Sequence, residues 1–319
     1  MKFNLIKLLP VLLLAACTTT DHSTAPKTTL SAPAVTEQNL PAAAIDNCLV
    51  GCPTGGSDQT VIRDVYTLNN NSNTKFANWV AYKVTKSSQA SNHPRKWAQD
   101  PDLPASDTLA PADYTGANQK LAVDRGHQAP LSLLAGNEDS QALNYLSNIT
   151  PQKAALNQGA WVRLEDKERT LANRQDVTAV YSVTGPLFER NIGTLPAKPS
   201  VALPSGYWKI IFIGTSPDKG QYAAFLIDQN TAKSANFCDY QVTVDTIEAK
   251  TNPPLTIWSN LPTDVAQIIK SQKGHWLRRL DAIKSIRPLA LPYDKKLAMV
   301  KHYRLLSAVI TQYNDNSYH

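Results

Sequence analysis

His127, in the segment Asp124-Arg125-Gly126-His127, is the side chain best placed by type and neighbours to take a proton from water. An imidazole has its ordinary pKa near working pH, which suits a general base. Arg125 adds a guanidinium that can pair bidentately with a phosphate. A base beside a phosphate-binding cation is half of a phosphodiester hydrolysis site, although a lone histidine is more often structural than catalytic.

The other half lies downstream. Asn157, Trp161, Glu165 and Arg169 recur at steps of four in a segment, 156–172, that reads as a helix of strong helix formers with no Gly or Pro after Gly159. On a continuous helix each step of four advances about 40°, so the four residues form one broad stripe. The Asn157 carbonyl oxygen can ligate a hard divalent ion such as Mg²⁺, which keeps most of its waters and takes only one or two protein ligands. Glu165 can hold one of those waters. The structural alternatives are an N-cap for Asn157 and a surface i,i+4 pair of Glu165 with Arg169.

These residues need a scaffold. Strand-like runs at 61–68, 79–85, 177–184, 207–213 and 222–227 are bounded by Gly, Pro or Asn turns. They lie too close together for helices to alternate with them throughout, so antiparallel pairing is expected in one mixed domain. His127 is expected at or just past the end of a strand that follows Leu121-Ala122-Val123. From Pro262 onward the chain reads as helices punctuated by Pro288 and Pro292.

The ends carry a different message. Lys2 and Lys7, an apolar run to Leu14, and Ala15-Ala16-Cys17 read as a lipoprotein signal peptide over 1–16, with Cys17 as the lipidation site. Thr18 in place of aspartate favours the outer membrane. Residues 17–45 form a Thr-, Ala- and Pro-rich tether whose flexible coil spans about 30 Å. Cys48 and Cys52, four apart among turn residues in an exported chain, are expected to form a disulfide. That leaves Cys238, read as a lone buried thiol. The formal net charge of +6 is concentrated near the end, where residues 270–304 hold ten Lys or Arg against Asp281 and Asp294. Such a stretch attracts phosphate or presents a solvated or membrane-facing helical surface.

The strings DRGHQAP, NYLSNITPQ and LNQGAWVRLEDKER, in this order and spacing, resemble the DNA/RNA non-specific endonucleases with a ββα-metal site. The likeness extends to IDNC, GCPTGG, KFANWVAYKVTK, YSVTGPLFER and NFCDYQVTVDTIE, and covers roughly residues 45 to 270. The resemblance implies an α+β fold with a central antiparallel sheet flanked by helices, filling 46–270. It implies His127 as general base, Asn157 as direct ligand of Mg²⁺ (replaceable by Mn²⁺), and Glu165 as holder of metal-bound water. It further implies Arg125, Arg169 and Arg95 as phosphate-binding arginines and Asn148 as a support of the site. The substrates implied are DNA and RNA, single- and double-stranded, cut to 5′-phosphorylated products, by a protein that forms a homodimer in this family. Two features depart from the family. No cysteine follows Cys238 to close a second disulfide, and the basic helical extension 271–319 has no counterpart. A contrasting reading is a membrane-anchored receptor that binds nucleic acid without cutting it, with the basic extension as its grip.

Overall fold

The computed structural model describes residues 45–56, 59–91, 94–215 and 219–274. The signal peptide, Cys17, most of the tether, and the basic extension from 275 onward lie outside the described residues.

A seven-stranded antiparallel sheet forms the centre. Its strands are β2 (Thr60–Ile62), β3 (Thr67–Asn71), β4 (Phe76–Val84), β7 (Val180–Leu187), β10 (Gly206–Gly214), β11 (Gly220–Asp228) and β12 (Gln241–Val242), in the order β12-β11-β10-β7-β4-β3-β2. Three smaller pairs stand outside it: β1 (Thr54–Gly55) with β13 (Leu255–Thr256), β5 (Val123–His127) with β6 (Ile149–Lys153), and β8 (Thr194–Leu195) with β9 (Lys198–Ala202).

Both faces of the sheet are covered. Successive side chains on a strand point to opposite sides, and in β10 Tyr207 and Ile211 enter one apolar core while Trp208 and Ile210 enter the other. In β4 the same alternation sends Val80 and Tyr82 to the first core, Trp79 and Ala81 to the second. A strand buried on both faces reads as a continuous apolar run, which is why these strands stand out in the sequence.

The expected strand at 61–68 is instead a hairpin. The Arg63 N–H donates to the Tyr66 carbonyl at 3.0 Å, and the Arg63 guanidinium is bonded to Asp100 at 2.5 Å and Asp102 at 2.7 Å. Those partners lie almost forty residues away, beyond any local pattern. The strand expected at 177–184 begins and ends three residues later.

Helices α1 (Ala117–Leu121), α2 (Leu131–Leu134), α3 (Ala154–Leu156), α4 (Val162–Ala172), α5 (Val244–Glu248) and α6 (Thr263–Lys270) fill the layers around the sheet. The helix expected over 156–172 is broken in two by a wide turn, Asn157–Trp161, whose Gly159 has non-helical φ −117° and ψ −114°. Cys48 and Cys52 form the expected disulfide, with Cα atoms 4.8 Å apart. Cys238 departs from expectation: it is half-buried in a short turn, Phe237–Tyr240, rather than in a core, and it is not a free thiol.

Candidate active site

The β5–β6 hairpin carries the first half of the site. Ala122 turns the chain with φ 52° after α1, and the strand that follows is Val123–His127 itself. His127 is thus the last residue of β5, opposite Ile149, and Arg125 lies opposite Pro151. Glycine suits position 126, because a Cβ there would lie 2.7 Å from Gln152 Cβ on the paired strand.

His127 is half-buried, and its ring centroid is 5.3 Å from that of Trp97. Its Nε2 is 3.4 Å from Asn144 Oδ1. Asn144 Nδ2 donates to the Pro94 carbonyl at 3.3 Å, which turns Oδ1 toward the imidazole. That orientation assigns the proton to Nε2 and leaves the lone pair on Nδ1. Burial lowers the imidazole pKa to about 4; the Asn144 contact opposes the shift and the Arg95 charge adds to it. The ring is therefore neutral, as a base must be.

Arg125 shares the His127 face of β5. Its guanidinium lies 5.5 Å from the Trp97 ring and 5.2 Å from that of Tyr114, and Nη2 donates to the Pro111 carbonyl at 3.2 Å. Its Nε is buried and has no partner among the described residues. A buried donor without an acceptor costs about 1–3 kcal/mol, so this edge suits an incoming phosphate oxygen. Arg95 is exposed. Fully buried Asn148 holds the chain just past His127: its Oδ1 accepts from the Ala129 N–H at 2.8 Å, and its Nδ2 donates to the carbonyls of Ala129 and Leu143.

Asp124 joins this strand to the second half. Its Oδ2 accepts from Asn157 Nδ2 and from Gln158 Nε2, each at 2.9 Å, while Oδ1 accepts from Asn118 Nδ2 at 3.3 Å. With Nδ2 so engaged, the Asn157 amide presents Oδ1 away from Asp124, the pose of a cation ligand and not of an N-cap. The turn that lifts Asn157 is fastened from behind. Gly159 sits so close to the Lys233 backbone that a Cβ would lie 2.7 Å from its carbonyl oxygen. Arg163 Nη2 donates to the carbonyls of Lys233 at 2.9 Å and Ala235 at 2.5 Å.

Glu165, on the first turn of α4, is half-buried and makes no hydrogen bond among the described residues. Burial pushes its carboxyl up to about 7; Lys209 opposes this, and Glu168 and Asp166 reinforce it. The alternative reading, a surface pair of Glu165 with Arg169, is not formed, because Arg169 is engaged elsewhere. Its Nη2 donates to Ser132 Oγ at 2.8 Å and its Nε is 3.8 Å from Asp166. Arg169 borders an open cavity of about 330 Å³ shared with Gln89, Ala90, Ser91 and Ser132. The wide turn therefore replaces the continuous stripe of four.

Among the described residues no cluster of three His, Cys, Asp or Glu side chains stands ready to cage an ion. The donor set fits a hard cation held by one neutral oxygen, that of Asn157, with a carboxylate nearby for its waters.

Residues 44–264 match the family described as DNA/RNA non-specific endonuclease. The chain belongs to that family. A nuclease of Serratia marcescens is 61% identical over 233 residues, covering 72% of this chain and 87% of that protein. A nuclease of the cyanobacterium Nostoc is 28% identical over 243 residues, 70% and 84% of the two chains, and human mitochondrial endonuclease G is 30% identical over 174 residues, 50% and 56%. A chain in the crystal structure of an EndoG/EndoGI complex superposes with a TM-score of 0.56 at 22% identity, over 67% of this chain and 90% of that one. This endonuclease thus has a mixed fold built on a large antiparallel sheet, and acts on DNA and RNA. Asp124, Asn144, Trp97 and the Lys233 segment are the parts that sequence reasoning passed over. Of these only Asp124, adjacent to Arg125, carried a local signal.

Proposed function

We propose that this endonuclease hydrolyses phosphodiester bonds by a single in-line displacement that depends on a divalent ion, Mg²⁺ or in its place Mn²⁺, and leaves 5′-phosphates. The observation that carries the reading is the Asn157 amide, held by Asp124 with Oδ1 turned outward, joined through β5 to a neutral His127. His127 Nδ1 takes a proton from the attacking water. Arg125, through its partnerless Nε, and Arg95 neutralise phosphate oxygens, and Arg169 contacts the strand beyond. Glu165 holds a water of the ion's shell, and Asn148 keeps the segment after His127 in place. When bound, the ion supplies Lewis-acid charge that stabilises the phosphate and the departing 3′-oxygen. Contacts of this kind address the backbone and not base edges, so cleavage is insensitive to sequence and sugar.

The domain organisation proposed is a signal peptide at 1–16, a lipidated Cys17 with a tether to 45, the nuclease domain at 46–270 and a basic helical extension at 271–319. This makes the enzyme an exported outer-membrane lipoprotein; a homodimer is the assembly that its family implies, at an interface the tether and the extension can alter. His127→Ala is expected to abolish cleavage of both DNA and RNA in Mg²⁺ while nucleic-acid binding survives. Wild-type protein should cut plasmid in Mg²⁺ and not in EDTA. Near-normal turnover by the variant removes His127 as the base, and cutting in EDTA removes the ion.

A further inference from the structure

Within reach of Glu165 and Trp161 lies a charged cluster that the mechanism above does not use. Lys209 on β10 and Glu168 on α4 are fully buried and paired at 2.9 Å. Tyr82 on β4 donates to Glu168 Oε1 at 2.7 Å and accepts from Lys209 Nζ at 2.7 Å. Ser182 on β7 donates to the same Oε1 at 2.5 Å. The ammonium also lies 4.8 Å from the ring of Trp161, the last residue of the wide turn. Three adjacent strands, the Trp161 end of the wide turn and Glu168 of α4 therefore meet at one ion pair.

Stability does not account for such a cluster. Burying two charges costs several kcal/mol of hydration, and well-packed apolar residues of the same volume often do as well or better. Directionality is what the cluster adds. Apolar contacts between a helix and a sheet tolerate small slides and rotations; a carboxylate that accepts three bonds from three strands does not. Glu165 lies one turn before Glu168, on the same side of α4, and Lys209 is the strongest charge acting on it.

We propose that Lys209, Glu168, Tyr82 and Ser182 are positioning residues that lock the rotation and height of α4 over the sheet, so that Glu165 and the Trp161 end of the metal-ligand turn meet the ion at one fixed place. This rests on the reading of Asn157 and Glu165 given above. Two variants test it. The first replaces the cluster by apolar groups of similar volume (Tyr82→Phe, Glu168→Met, Ser182→Ala and Lys209→Met together), a change that buried ion pairs elsewhere tolerate without loss of fold. The second is Tyr82→Phe alone, which deletes one oxygen. Each is measured for thermal midpoint, for Mn²⁺ binding by electron paramagnetic resonance, and for kcat and KM on duplex DNA.

The apolar variant is expected to melt near the wild-type temperature, to bind Mn²⁺ about tenfold or more weakly, and to lose kcat by about 10- to 100-fold with little change in KM, as outer-shell substitutions do. Tyr82→Phe should show a smaller loss of the same kind. A folded apolar variant with wild-type kcat and Mn²⁺ affinity overturns the proposal. If that variant does not fold, Tyr82→Phe decides alone, and wild-type kcat and Mn²⁺ affinity in it overturn the proposal equally. Wild-type protein that neither binds Mn²⁺ nor cleaves DNA in Mg²⁺ refutes the functional reading instead, so the two failures are distinguishable.

Discussion

Asp124→Asn isolates the role of a side chain to which the proposed mechanism gives no contact with the phosphate or the ion. In the wild type one carboxylate accepts three side-chain hydrogen bonds, from Asn157, Gln158 and Asn118. An asparagine offers one oxygen. Turned toward Asn157 and Gln158, it faces Asn118 with a donor against a donor; turned the other way, it does the same to two partners. A hydrogen bond to a charged group is worth about 1.5–3 kcal/mol and a neutral one about 0.5–1.5. The bond that orients the Asn157 amide therefore weakens by about 1–1.5 kcal/mol in the first pose, and is lost in the second. Each 1.4 kcal/mol is tenfold in an equilibrium constant. The Mg²⁺ concentration for half-maximal rate should rise about 10- to 100-fold, as the Asn157 amide spends more time with the wrong end outward. His127 and Arg125 are untouched, so kcat at saturating Mg²⁺ should fall far less. The assay is initial rate of oligonucleotide cleavage across a Mg²⁺ titration, with circular dichroism to establish folding. A folded variant with half-saturation within twofold of wild type would refute the claim that Asp124 orients the ligand.

Two further outcomes are expected. Glu165, with its carboxyl near 7, takes up a proton as pH falls below that value, and the water-holding role proposed for it is then lost. The half-saturating Mg²⁺ concentration should then rise as pH falls from 7 toward 5, by at most about tenfold per pH unit, the slope for one competing proton, while His127, with its pKa near 4, stays neutral over most of that range. Glu165→Gln should flatten the dependence; a slope that persists in it excludes Glu165 as its origin. Gly159→Ala drives a methyl to 2.7 Å from the Lys233 carbonyl oxygen. Overpacking of this kind costs about 1–3 kcal/mol, readable by urea unfolding, and the same variant should bind Mn²⁺ more weakly because the turn under Asn157 must shift. An unchanged unfolding midpoint counts against that contact.

The long strands of the sheet were legible because burial on both faces makes 222–227 an apolar run and 207–213 one broken only by Lys209, a signal local enough to read directly. The residue types of the site were legible too, since DRGH and the Asn157-to-Arg169 spacing are short strings with chemical meaning. What stayed hidden depends on distant partners. The hairpin at Arg63 is set by Asp100 and Asp102, and the break in the expected helix by a backbone contact at Lys233. A run of helix formers predicts a continuous helix over 156–172, and Gly159 was the one residue in it that hinted otherwise. The tautomer of His127 depends on Asn144, whose amide is oriented in turn by a carbonyl fifty residues earlier.

The contact between Gly159 and Lys233 bears on when this enzyme becomes dangerous. A chain emerging from a ribosome through the end of α4 already contains His127, Arg125, Asp124, Asn157 and Glu165. It lacks the backbone of 233 and 235, to which Gly159 and Arg163 are fastened, and it lacks β10 with Lys209. The residues proposed to cut are thus made early, and the parts that hold them in place are made late. On the mechanism proposed above, a cell that synthesises this nuclease carries the reacting side chains on an unfinished chain that lacks the supports for the ligand turn, and folding becomes the last step of activation.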